Sequence, residues 1–164
     1  MKHDISQHNR KFIFRFKDKK IIINKLGHES EFQPFAKALA YFLYHKKYPT
    51  IRVEAELEDR FQPDLCAIGY DGTMLLWVEC GKASINKIEK LFKKYRQAHF
   101  VFIKEEKEIP TFKMHLEKRF KKALRLPLVD IVVYPEHFHD WYVSEEGDVF
   151  IPSEEVTTIR WHGP

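Results

Sequence analysis

Cysteine is scarce. Only Cys66 and Cys80 occur in 164 residues, each inside an apolar, strand-like run and without C-x-x-C spacing. That excludes a disulfide framework and a zinc knuckle and reads both as core thiols. Glycine numbers six, with no phosphate-cradling loop, no dinucleotide fingerprint and no serine in a G-x-S-x-G elbow. P-loop, Rossmann and α/β-hydrolase chemistries drop out with them. No run approaches the ~20 apolar residues that span a bilayer. Residues 1–14 carry charges and histidines where a secretory signal needs an apolar segment. The expectation is a cytoplasmic protein with no membrane partner.

What is present points to a packed core. Hydrophobic residues make up 44% of the chain, with 14 Phe and 7 Tyr, far from the composition that leaves a chain disordered. The length suits one domain spanning 1–164. A net charge of +4 conceals an asymmetry: residues 82–125 carry 14 Lys and Arg against 5 Glu, whereas residues 136–155 carry 7 acids and no Lys or Arg. A basic block of this kind is either the solvated face of helices or a surface for a polyanion.

Alternation in Phe12, Ile13, Phe14, Arg15, Phe16 and the run Ile21-Ile22-Ile23, parted by Lys17-Asp18-Lys19-Lys20, reads as a β-hairpin. Ser30 is an N-cap, with Glu31 and Pro34 in the first turn. From there Phe32, Phe35, Ala36, Leu39 and Leu43 recur at helical spacing toward Tyr48-Pro49. A strand with one wet face follows over 51–57. Next come two apolar runs, 65–70 and 74–80, around Asp71-Gly72, a type I′ turn signal. Ser84 caps a second helix bearing Ile85, Ile88, Leu91, Phe92 and Tyr95, and 99–103 is a buried strand. Residues 109–126 read as a basic helix and 129–134 as a strand. A closing hairpin is expected over 141–143 and 149–151.

Asp64 enters one strand of the Asp71-Gly72 hairpin and Glu79 leaves the other, each seven residues from the turn. Antiparallel pairing sets them opposite, where like charges destabilise a sheet by up to ~1 kcal/mol. A shared cation removes that penalty, and hard oxygen ligands suit Mg²⁺ or Mn²⁺. Glu31 is a third acid if its helix points at the site, although the macrodipole alone favours a Glu there. Lys82 and Lys87 are both candidates to steady a nucleophilic water and phosphate charge. His137-Phe138-His139-Asp140 offers two histidines and an acid with no evident third ligand.

Pro63-Asp64, a hairpin, then Glu79-Cys80-Gly81-Lys82, preceded by an acid-bearing helix, resembles the PD-(D/E)XK nuclease superfamily. Within it the chain is similar to the YaeQ family in its N-terminal hairpin, in Ser30-Glu31 with Gln33, in Leu76-Trp77-Val78-Glu79-Cys80-Gly81, and in Trp141 and Phe150. The resemblance implies an α/β fold: a restriction-endonuclease-like α-β-β-β-α-β core with a mixed sheet, plus N-terminal and C-terminal β-hairpins. It makes Asp64 and Glu79 metal ligands, Glu31 an auxiliary acid and a lysine the water-orienting cation. The superfamily lysine lies two residues after the acid, where this chain has Gly81. Lys82, reached through a bulge, and Lys87, projecting from the helix, remain equal alternatives. Two functions follow: a Mg²⁺-dependent nuclease whose basic residues 82–125 hold the phosphate backbone, with a homodimer admitted by the resemblance, or a non-catalytic module that keeps the fold to bind nucleic acid or protein.

Overall fold

The computed structural model describes residues 10–25, 27, 29–30, 32–123, 125–137 and 156–164. β1 (Arg10–Phe16) and β2 (Lys19–Lys25) form an antiparallel two-stranded sheet. Its turn is only Lys17-Asp18, tighter than the four residues the charge pattern suggested, with Lys17 at φ 55°. Phe12, Phe14, Ile21 and Ile23 cover α1 (Phe32–Tyr44), where Phe35 meets both phenylalanines edge-on at 5.6 and 5.2 Å. The opposite side of α1 packs on the main sheet. A helix held between two layers must be apolar nearly all round, and every residue over 34–40 is buried.

The main sheet has the order β3 (Arg52–Val53), β4 (Leu65–Ile68), β5 (Met74–Cys80), β6 (His99–Glu105), β7 (Leu128–Tyr134), β8 (Thr158–Trp161). β5, β6 and β7 run parallel, and the other neighbours are antiparallel. Parallel neighbours need crossovers, supplied by α2 (Ile85–Lys94) and α3 (Ile109–Arg119). Crossovers of one hand place both helices on one face, where Ile88, Leu91, Phe92, Phe112 and Leu116 pack with Trp77, Phe100 and Phe102. The described residues thus make a mixed α/β structure: a six-stranded mixed sheet, three helices and a small hairpin sheet.

Several elements are shorter than their patterns suggest. The wet-faced strand over 51–57 pairs only at Arg52 and Val53. Beyond them Glu54 turns left-handed at φ 54°, and the Gln62 side chain takes the place of a partner strand. It accepts from Leu57 N–H at 2.7 Å and donates to Leu57 O at 2.8 Å and Asp59 O at 2.9 Å. α1 stops at Tyr44, and the approach to Tyr48 is a turn. α3 ends at Arg119 rather than near 126: Phe120 leaves helical geometry as the C-cap, its N–H donating to Leu116 O at 2.9 Å, and a turn follows in which Ala123 N–H donates to Phe120 O at 3.0 Å. β8 alternates, with Thr158 and Arg160 exposed and Ile159 and Trp161 turned inward, but over only four residues, too short a run to mark a strand in the sequence. The closing hairpin over 141–151 lies outside the described residues.

Candidate functional site

β4 and β5 set the acid pair. Leu65 lies opposite Val78, which places Asp64, one residue before β4, opposite Glu79. The Asp64 N–H donates to Val78 O at 3.0 Å. Two departures from a simple hairpin cancel to give this register. The turn is the three-residue Tyr70-Asp71-Gly72 rather than a type I′ pair. Gly72 N–H donates to Gly69 O at 2.9 Å, and Gly72, unlike Asp71, takes a positive φ of 83°. Leu75 is then an extra, bulged residue between the pairs Ala67–Leu76 and Ile68–Met74, which moves the register back by one.

Asp64 Oδ2 accepts from the Cys80 N–H at 2.7 Å, and Oδ1 lies 3.9 Å from Lys37 Nζ. Burial and the facing Glu79 push the Asp64 carboxyl up to about 6 against the downward pull of the Cys80 N–H, Lys37 and Lys87. Glu79 is buried; its Oε1 accepts from Trp77 Nε1 at 2.9 Å and forms an ion pair with Lys87 Nζ at 2.8 Å. Lys87 reaches it from the first turn of α2, whose N-cap Ser84 accepts the Lys87 N–H at 3.1 Å. The cap that starts the helix therefore also fixes the lysine's origin.

From the opposite layer comes Lys37, 2% exposed and bonded to Glu54 Oε1 at 2.8 Å, with Glu29 Oε1 at 3.6 Å. Burial draws its ammonium down, but the Glu54 bond and the Asp64, Glu54 and Glu29 charges outweigh that and hold it above its ordinary value. Glu54 sits in the left-handed region while its N–H donates to Asp64 O at 2.9 Å. Strain of that kind costs on the order of 1–3 kcal/mol and persists where surroundings enforce it. Here the enforced feature is a carboxylate aimed at Lys37.

The strand exit is equally constrained. Gly81 has φ 97°, and a Cβ there would lie 2.6 Å from Gln33 Nε2, which donates to Cys80 O at 2.9 Å. Lys104 is buried, with Nζ 4.6 Å over the Phe112 ring and donating to Gly81 O at 2.5 Å. Burial lowers its ammonium, partly countered by Glu108 and Glu79.

The structure thus brings Asp64, Glu79 and Lys87 together and leaves Lys82 exposed on the surface. Glu31 lies outside the described residues, as do His139 and Asp140. Sequence reasoning passed over Lys37, Glu54 and Lys104. Lys37 had a signal, as the lone charge in the helix FQPFAKALAYFLY. Lys104 had a weaker one, closing the apolar run HFVFI. Cys66 and Cys80 are buried free thiols, as expected.

A mixed sheet flanked by helices, with two carboxylates at the end of adjacent strands and a lysine from each layer, defines an α/β protein with a partly buried cluster of acids and lysines at one end of its sheet. A family model described as YaeQ protein matches residues 4–138, and the chain belongs to the YaeQ family. Among solved structures it is similar to the YaeQ protein from Xanthomonas axonopodis pv. citri, with 19% identity over 94% of this chain and 92% of that one, TM-score 0.56. It is similar also to the YaeQ protein from Pseudomonas syringae, with 15% identity over 93% and 88%, TM-score 0.61. At these identities the likeness is one of fold. No curated protein matches the chain.

Proposed function

We propose that the chain is a metal-dependent phosphodiesterase acting on nucleic acid, a PD-(D/E)XK superfamily member with a restriction-endonuclease-like core in a single domain. The observation that carries this reading is the convergence of Asp64 and Glu79 at one end of β4 and β5, with Lys87 on Glu79. The donor set fits Mg²⁺ or Mn²⁺. Asp64 and Glu79 offer hard oxygens, while burial pushes the Cys80 thiol up and keeps it protonated, so that it does not compete as a ligand. Asp64 and Glu79 are the residues that would hold the ion. Among the described residues no group of three or more His, Cys, Asp or Glu gathers, so water and substrate oxygens would complete the shell.

Bound there, the ion supplies positive charge to a phosphate and lowers the pKa of an attacking water. The protein's own groups do the rest. Lys87 holds Glu79 Oε1 and places a positive charge beside it. Lys37 and the Cys80 N–H orient Asp64. Basic residues over 82–125 would contact backbone phosphates, and a homodimer would set two such sites on two strands. The test is cleavage of single- and double-stranded DNA and RNA in Mg²⁺ or Mn²⁺. Asp64→Asn and Glu79→Gln should each abolish it, and full divalent-dependent cleavage by either variant would sink the mechanism.

A second reading, a non-catalytic nucleic-acid- or protein-binding module, is favoured by one observation. Gly81 stands at the superfamily's lysine position, and the lysine at the site is already engaged with Glu79. It predicts salt-dependent binding without turnover; Mg²⁺-dependent turnover lost in Asp64→Ala would dispose of it.

A further inference from the structure

The C-terminal ends of α2 and α3 enclose a cavity of about 380 Å³ whose lining includes Phe92, Lys93, Arg96, Phe120, Arg125 and Pro127. It lies at the opposite end of α2 from Lys87, apart from the acid pair. The floor is apolar. Phe92 and Phe120 stack at 5.0 Å, with Leu126 and Pro127 beside them. The rim is cationic, carrying five Lys and Arg against the single acid Glu89. Lys93 and Arg119 both engage that acid at 2.6 Å. Arg96, Lys122 and Arg125 are exposed and form no ion pair among the described residues.

Helix dipoles explain only some of this charge. Lys93 and Arg119 stand in last turns, where a C-terminus favours a cation, but that effect falls off within a turn. Arg96, Lys122 and Arg125 lie beyond the helix ends, in the connections. Guanidinium groups match phosphate with paired hydrogen bonds, an apolar floor accepts a flat ring, and a cavity of this volume holds one small ligand.

We propose that this cleft binds one nucleoside-phosphate unit, with the phosphate on Arg96, Lys122 and Arg125 and the base against Phe92, Phe120 and Pro127. The unit is either a free mononucleotide or a nucleotide of a single strand.

The test is calorimetric titration of the full chain at about 50 mM salt with deoxyadenosine 5′-monophosphate, deoxyadenosine, inorganic phosphate and a 5′-phosphorylated deoxyadenosine hexamer. The mononucleotide should saturate with Kd below about 1 mM. Phosphate and nucleoside alone should bind about tenfold more weakly or worse, because each makes half the contacts. Arg96→Ala with Arg125→Ala should weaken the mononucleotide about tenfold or more with circular dichroism unchanged. A hexamer about tenfold tighter than the mononucleotide assigns the cleft to a strand; equal affinity assigns it to the free nucleotide. No saturable mononucleotide binding, equal affinity in the double variant, or phosphate binding as tightly as nucleotide would overturn the proposal. Asp64→Asn should leave this binding unchanged, so the cleft and the phosphodiesterase reading fail separately. Mononucleotide binding lost in Asp64→Asn would place the ligand at the acid pair and overturn the cleft assignment.

Discussion

Asp64→Asn should make the protein more stable at pH 8. Moving the Asp64 carboxyl from its ordinary 3.8 to about 6 makes its ionised form about 3 kcal/mol less favourable in the folded chain than in the unfolded one. For an acid raised in this way, the folded state keeps a proton that the unfolded state has released between roughly pH 4 and 6. Stability therefore falls as pH rises through that window, and the deficit is complete above it. Asparagine keeps an oxygen for the Cys80 N–H and carries no charge, so it escapes the deficit. The Asp64 side chain is 25% exposed, and solvent screening trims the gain to about 1–3 kcal/mol, or roughly 2–10 °C in Tm for a chain this size. Urea unfolding of both proteins at pH 8 and pH 4 reads the effect: a higher midpoint for the variant at pH 8 and near coincidence at pH 4. An asparagine variant less stable than wild type at pH 8, or an equal difference at both pH values, would refute the reasoning.

Gly81→Ala should lower Tm by about 3–8 °C, since a left-handed backbone and the close Gln33 amide together cost about 1–2 kcal/mol; an unchanged melting curve would mean that the strand exit relaxes freely. Lys87→Met should cut divalent-dependent cleavage about 10²-fold or more while Lys82→Met changes it less than about threefold, and kinetics on both variants reverse the assignment if Lys82 proves the sensitive one. Asp130, buried between His99 Nε2 at 2.6 Å and Arg160 Nε at 2.5 Å, is partly destabilised by burial, but His99 and Arg160 prevail and hold its carboxyl well below the usual range. Its contribution is present above about pH 4 and lost as pH falls. Asp130→Asn should therefore cost about 3 kcal/mol in a denaturant titration at pH 7 and progressively less toward pH 2.

The sequence pattern reveals the elements wherever periodicity and capping act locally. Ser84 before the Ile88, Leu91, Phe92 stripe marks α2, and unbroken apolar runs mark β5 and β6 as strands buried on both faces. The acid pair was legible by counting outward from Asp71-Gly72. Even so, the count succeeds because a three-residue turn and the bulge at Leu75 offset one another, and neither has a strong sequence mark. Glu54 escapes because it alternates like a wet-strand residue until a left-handed φ and the Gln62 bonds end the strand. Lys37 and Lys104 escape for a different reason. Their partners lie across the sheet or on another element, Asp64 and Glu54 for one and Gly81 O for the other, and such distant pairings leave no local spacing to read. Choosing Lys87 over Lys82 likewise needed the path of the chain after Gly81, where a positive φ turns it into α2.

The acid pair as a divalent-cation site is tested most directly by calorimetric titration of Mn²⁺ or Mg²⁺ into the wild type and into the Asp64→Asn, Glu79→Gln double variant, with circular dichroism showing both folded. Saturable binding by the wild type and none by the variant is the expected result; no saturable binding by the wild type, or equal binding by both proteins, would contradict it.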